Sequence, residues 1–571
     1  MGEPEDRPNS KAPPREARAT LPPPEVGRTS EAEAIPATGR LARRTNARAD
    51  EAFLRARLEQ AIASGDAEQD RLARVELARY LAGRDRALDE AASLALRAIR
   101  TKDDTDLRRE LSGWLESLGE AGLAAAVLRP IVEGPSAVDA STLIRVGVLH
   151  ARADDPAGAI EAFEEASRLD PRAALALELR GAVGGWAPEV STAAAAAEAY
   201  VEAANRHALA NDDPFEDMLR AFEADKTCEA AATALATNLG LRGRLLAADE
   251  IWREHAEALV SIDARRASAV HARRRNQALA NGDVALALGA AFDEGLDAQL
   301  DGDGATLFDE LLSRAGLLEM LAARLEAQAE HVGGDEERDR ARRVSLYETL
   351  ARLCVGPLAQ PARGAVAFVE VLAARPSSDE ARSAVVELLG GDEGAVHSAL
   401  DSGDIARLRA LARDRERAGR GHDKESFDAV LETLDLRVRG ELREANRAVA
   451  LALAARKSSS VLGANVQSAP PRLARLAWMT ATISNDVATQ ARALEPIAED
   501  TPPHLRAVLL AIAAGRLLAA GDVDGARALA ATASQAEPTF ARAAATLASA
   551  CIGIRDRTSA AATELAIKLV C

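Results

Sequence analysis

ASTLIRVGVLHARADDPAGAIEAFEEASRLDPRA, residues 140–173, decides the fold. Apolar and small residues recur there at intervals of three and four, the period of one buried helix face. Asp155-Pro156 divides the stretch. A polar capping residue followed by proline at the first helical position is a helix start. The spacing therefore predicts two helices joined by a short turn. Gly147, Ala159 and Ala166 are small enough to let the helices approach, and Phe163 fills the space between turns. One such pair cannot bury its own apolar face, so it requires neighbours of the same kind.

Leu143, Gly147, Ala159, Phe163, Ala166 and Pro171 sit at the spacings of a tetratricopeptide repeat (TPR). The stretch resembles that family of antiparallel helix pairs, each about 34 residues long. With Ala140 as position 1, Pro156 falls at position 17 and Pro171 at 32. A second unit from Ser345 puts Pro361 at 17, Phe368 at 24 and Pro376 at 32. A third from Ala507 puts Gly521-Asp522 at 15–16, Ala526 at 20, Ala533 at 27 and Pro538 at 32. Position 8 is Arg352 and Ala514 in these two units, so they match less closely. Weaker units overlie 195–228 and 229–262, with Ala221 and Ala248 at small-residue positions. The resemblance implies an all-α fold, a TPR-like α-solenoid of antiparallel helix pairs.

Outside this stretch the chain of 571 residues reads as helices with short polar breaks. Gly-Asp occurs seven times, beginning at Gly65, Gly282, Gly302, Gly334, Gly391, Gly403 and Gly521. Glycine can take the left-handed conformation that ends one helix, and aspartate can cap the next. Residues 1–48 are rich in proline and poor in large apolar residues, so a disordered tail is expected there. The helical array is expected over 49–455. A linker over 456–472 and a C-terminal TPR-like segment over 473–571 complete the expected organisation. GAVGGWAPEVS (Gly181–Ser191) reads as a long inter-helix loop, and Arg417–Asp423 as a shorter break.

Aromatic residues make up only 3% of the chain, and the net charge is −18 with both signs mixed along the helices. That surface argues against a nucleic-acid footprint. No apolar run reaches the ~18 residues of a membrane span. The four cysteines, Cys228, Cys354, Cys551 and Cys571, are scattered without CxxC spacing, and no signal peptide is visible. These features point to a cytoplasmic protein.

No nucleotide, hydrolase or zinc-protease motif is present, so no enzyme activity and no cofactor is expected. The eight histidines do not pair at helical spacing. His150, at position 11 of the clear repeat, is expected to stand in for a packing aromatic. The carboxylates are expected on solvated faces. Gln299, Asp301, Asp303, Gly304 and Glu310 follow part of an EF-hand calcium pattern, but Gln299 replaces the first acid. The resemblance places a partner groove at Ser141, Ile144, Val148 and Ala151. These residues lack the Lys and Asn of the family's carboxylate clamp and suit an apolar helix or extended segment. The function expected is a non-enzymatic scaffold for protein partners. The alternative is a ligand- or calcium-sensing module of an enzyme or transcription system encoded elsewhere.

Overall fold

The computed structural model describes residues 37–83, 87–133, 139–334, 336–390, 393–418, 424–461 and 471–554. Among them every regular element is a helix, and the chain divides into two compact units, Met1–Val138 and Asp139–Cys571. The fold is a TPR-like array of antiparallel helix pairs.

In the first unit, helices Ala37–Ser64, Ala67–Ala82, Leu88–Thr101, Thr105–Ser117 and Ala121–Val132 each pack on the next. The first of them takes in residues 37–48; of the expected tail, residues 1–36 lie outside the described residues. Alanine and leucine alternate through the core, with Leu77, Ala91, Ala95, Leu107, Leu111 and Leu128 buried. Small residues let helix axes approach while leucine fills the gaps.

The second unit opens on the stretch that decided the fold. Helices Ala140–Arg152 and Pro156–Leu169 form an antiparallel pair. A Cβ on Gly147 would lie 2.5 Å from the Phe163 ring. Glycine is therefore required by contact, and Phe163 is buried against it. The device recurs in the next pair, Leu175–Trp186 and Ala193–Ala210, where a Cβ on Gly181 would lie 2.7 Å from the Tyr200 ring. Gly181–Trp186 is thus the end of a helix and not the loop its glycines suggest. Gly184 also faces a close neighbour, Ser191. The helices Glu229–Leu241 and Leu245–Val260 match the weak unit at 229–262, with Trp252 buried on the second. In the unit from Ser345 the first helix starts earlier, at Glu337, and pairs with Pro361–Ala374.

Glycine and aspartate punctuate the array as their chemistry requires. Gly65, Gly282, Gly403 and Gly521 have φ between +66° and +83°. Each following aspartate, Asp66, Asp283, Asp404 and Asp522, accepts hydrogen bonds from N–H groups of the next helix. Gly302-Asp303 differs: Asp303 already lies inside helix Gly302–Arg314, and the N-cap is Asp301. Asp335 and the Gly391-Asp392 pair lie outside the described residues. Asp155 caps through Gly158 N–H at 3.0 Å, whereas Gln360 makes no capping bond although Pro361 starts its helix.

Beyond about Ala278 the packing changes character. Helix Val284–Asp293 lies on Pro503–Ala519, Leu318–His331 on Pro471–Ile483, and Leu245–Val260 on Ala541–Ile554. One hydrophobic cluster runs from Ala278 to Ala550. Trp478 is fully buried and meets Phe292 edge-on at 6.3 Å; Phe292 meets Phe308 in the same way at 5.0 Å. Of the expected linker, residues 456–461 continue helix Leu442–Val461, helix Pro471–Ile483 begins at its end, and 462–470 lie outside the described residues.

Candidate partner groove and charged cavity

The sequence of helix Glu229–Leu241, EAAATALATNLGL, is rich in alanine and threonine. Small side chains lower the surface there, and a groove results. Its first part, about 520 Å³, lies between Ala230, Thr233 and Ala234 and the side chains of Val201, Asn205 and Met218. A second depression, about 600 Å³, runs on between Leu241 and Leu245, Trp252, Arg273 and Gln277. The two share Thr237 and Leu241. Arg273 stacks over Trp252 at 4.3 Å from the ring centroid, so the guanidinium presents an apolar face beside the indole. Leu241, the last residue of its helix, is 85% exposed.

The groove residues read from the sequence sit on the neighbouring pair. Ser141 is exposed, and Ile144, Val148 and Ala151 are half-buried. The three apolar ones pack against the Ala159, Phe163 and Val183 cluster. None of them lines the depressions along Glu229–Leu241.

Many of the carboxylates expected on solvated faces instead pair with arginines that are buried. Arg324 is fully buried, donates to Asp309 at 2.6 Å and to the carbonyls of Asp297 and Gln299 at 2.5 and 2.7 Å, and stacks over Phe308. Asp293 accepts two bonds from Arg542, at 2.7 and 2.9 Å, and one from Arg274 at 2.9 Å. Burial opposes its ionisation, but Arg542 and Arg274 outweigh burial and hold the carboxyl below its ordinary range. Beside it, burial pushes His271 down to about 4, so the neutral ring accepts from Arg274. Periodicity does not reveal these groups, because Arg and Glu at helical spacing look the same on a wet face and on a paired buried one. A sequence signal is present where a lone charge ends a helix otherwise apolar all round, as Asp293 does in VALALGAAFD (Val284–Asp293).

A second set of such groups lines a cavity of about 710 Å³. Arg363 donates to Glu319 at 2.7 Å and to Glu326 at 3.0 Å; Arg472 pairs with Glu416 and lies 3.6 Å from Glu326. Arg437 forks onto Glu330 at 2.7 and 2.9 Å, and Arg409 onto Glu370 at 2.7 Å through both nitrogens. Burial raises the Glu330 carboxyl, with Arg437 opposing, whereas Glu326 is held low by Arg363 and Arg472 against burial. Arg437 Nη1 is buried without a hydrogen-bond partner among the described residues.

The calcium-like pattern does not form a loop. Asp303, Gly304 and Glu310 all lie in helix Gly302–Arg314, which spreads Asp303 and Glu310 about 10 Å apart along its axis. Glu310 pairs with Arg314 at 2.5 Å, and Gln299 folds towards Gly304. His150 is half-buried, and its Nδ1 lies 2.7 Å from Asp155 Oδ2, so it braces the cap of the following helix instead of packing as an aromatic would. Cys228 and Cys354 are free thiols, and burial pushes the Cys354 thiol up to about 12, which makes it inert. The side chains of Cys551 and Cys571 lie outside the described residues. Among the described residues no helix is long and apolar enough to cross a membrane.

No protein-family model and no curated protein matches the chain. Among solved structures it is similar to a chain of the APC/C hetero-tetramer Cut9-Hcn1, at 13% identity and a TM-score of 0.21, covering 91% of this chain and 94% of that one. It is similar to the P58(IPK) TPR domain at 13% identity and 0.16, covering 73% and 99%. A chain of Naa15/Naa10 bound to HypK-THB matches at 13% identity and 0.19, covering 91% and 100%. Scores this low carry no argument of their own. The TPR-like helical repeat fold rests on the paired helices, the Gly147–Phe163 contact and its recurrence at Gly181 and Tyr200.

Proposed function

We propose that the chain is a non-enzymatic scaffold that holds a protein partner by an apolar segment laid along helix Glu229–Leu241. The observation that carries this reading is the pair of depressions meeting at Thr237 and Leu241, with Leu241 almost fully exposed beside them. Exposed apolar surface beside a groove is where helices and extended peptides dock. Ser141, Ile144, Val148 and Ala151 belong to the proposal as a flanking face. No nucleic acid, membrane insertion or cofactor enters this reading. It places the protein in the cytoplasm, which the scattered cysteines favour.

The test is capture of partners by the full chain from its native cell extract, with quantitative mass spectrometry. A stoichiometric partner retained by the wild type and lost by Leu241→Glu and Thr237→Arg, with helical circular dichroism unchanged, supports the groove. A partner held equally by both variants overturns it. Ser141→Arg reports separately on the flanking face.

The cavity around Arg437 favours a second reading, a regulatory module that senses a small anion. A buried guanidinium nitrogen without a partner is costly, and an anionic group entering the cavity would satisfy it. Inorganic phosphate or citrate would then raise the melting temperature in a dose-dependent way. No shift with either anion, or an equal shift in Arg437→Gln, rejects this reading.

A further inference from the structure

We propose that Glu178, His207 and Asp217 form a binding site for one Zn(II)-class divalent ion. The site ties together three successive helices. Glu178 stands in the first turn of Leu175–Trp186, His207 in the last turn of Ala193–Ala210, and Asp217 in the first turn of Phe215–Ala224. Antiparallel packing brings these turns together, although 39 residues separate the outer two.

The donor atoms already converge. His207 Nε2 lies 2.8 Å from Glu178 Oε1 and 3.4 Å from Asp217 Oδ2, and one ligand atom from each residue falls within 4.8 Å of the other two. Zinc bonds of about 2.0–2.2 Å in tetrahedral geometry place neighbouring ligand atoms roughly 3.3 Å apart. The separations of the three donor atoms, 2.8 Å, 3.4 Å and at most 4.8 Å, bracket that spacing. One imidazole and two carboxylates suit Zn(II) and leave a fourth position for water; Mg(II) and Ca(II) prefer oxygen donors alone.

Two further observations point to a cation. Asp217 is only 4% exposed, and among the described residues its carboxylate meets one donor, the His207 ring nitrogen that Glu178 already contacts more closely. Arg220, on the same helix, pairs with Glu216 at 3.2 Å instead. A single N–H cannot satisfy two carboxylates, so a buried negative charge is left over. On the far side of the ring, His207 Nδ1 lies 3.7 Å from Asp212 Oδ2. Asn211 makes this approach possible: its φ of +61° turns the chain back so that Asp212 N–H bonds His207 C=O at 2.9 Å. Without a metal, Nε2–H donates to Glu178; a metal ion would displace that proton, and Asp212 would hold the one on Nδ1. Carboxylate, histidine and metal are arranged in this way in zinc sites.

The experiment uses the full chain, stripped with a chelator and titrated with Zn(II) by calorimetry and with Co(II) by visible absorption. The site predicts one equivalent with the intense d–d bands of tetrahedral cobalt. Both signals are lost in His207→Ala and in the near-isosteric Asp217→Asn, and binding weakens about 10–100-fold in Asp212→Asn. Helical circular dichroism of each variant separates loss of the site from loss of the fold, and Asp217→Asn preserves shape if His207→Ala does not fold. Absence of binding in the wild type, or binding unchanged in Asp217→Asn, overturns the proposal.

Discussion

Two stretches of the second unit, built from the same kind of helix, hold together by different means. Between Ala140 and Val260 the decisive contacts are local: Gly147 against Phe163, Gly181 against Tyr200, each within one helix pair. Between Ala278 and Ala550 the chain returns on itself, and groups far apart in sequence decide the packing. Arg542 forks onto Asp293, Arg516 reaches Asp297 at 2.9 Å, and Arg437 forks onto Glu330. Local contacts of small residue on ring repeat with the helix pair and so leave a period. Closure by paired ions leaves none, because any Arg can meet any Glu that folding brings near. One array is thus legible from its period where it stacks on its neighbours and only from its tertiary structure where it closes.

The largest effect that could break this comparison is expected in the closed stretch. Arg363→Ala leaves Glu319 without its cation and Glu326 with only the more distant Arg472, and should cost about 3–5 kcal/mol in urea unfolding. A loss below about 1 kcal/mol would mean that apolar packing alone closes the array. In the local stretch, Phe163→Ala should cost a comparable ~3–5 kcal/mol through the cavity it opens. Gly147→Ala, which drives a methyl group into the ring, should cost about 1–3 kcal/mol. Combining Gly147→Ala with Phe163→Leu should recover part of the sum, since the two side chains share one space. Strict additivity would place the two residues out of contact.

The smallest effect sharpens the boundary between the stretches. His504 Nε2 lies 3.1 Å from Asp283 Oδ2, joining residues far apart in the chain, and Glu537 approaches the other ring nitrogen at 4.0 Å. The Asp283 hydrogen bond raises the His504 pKa against the opposing effect of burial. A histidine raised on folding stabilises fully below its unfolded value near about 6.5 and loses that contribution as pH climbs through the folded value. Stability should therefore fall by roughly 1 kcal/mol or less as pH rises from about 6 to about 8.5, the pair being partly exposed. His504→Gln should flatten that difference. An unchanged slope in the variant would assign the pH dependence elsewhere.

Much of the fold was legible in particular residues. Asp155-Pro156 marked a helix start that the Asp155 cap confirms, and Gly65, Gly282, Gly403 and Gly521 marked turns that their positive φ confirms. Gly181 and Gly184 misled because glycine marks either a turn or a close approach. Only the presence of Tyr200 and Ser191 opposite them distinguishes the two. The candidate sites were less legible. The groove along Glu229–Leu241 arises from alanine and threonine on a helix that neighbours flank on both sides, and EAAATALATNLGL alone does not say which face stays open. Glu178, His207 and Asp217 carry no motif because their spacing is set by where three helix ends meet.

The sequence by itself determined that the chain is helical, where some of its helices start and stop, as at Asp155-Pro156 and Gly521-Asp522, and that they pair. Those properties follow from interactions within a few residues: caps, turns, and a 3.6-residue apolar period. Only the tertiary structure decided that the later helices close on the middle ones, that their arginines and glutamates are buried in pairs, and which helix face stays open as a groove. Charge pairing and exposure depend on distances between segments remote in the chain, and those distances exist only once the helices have packed.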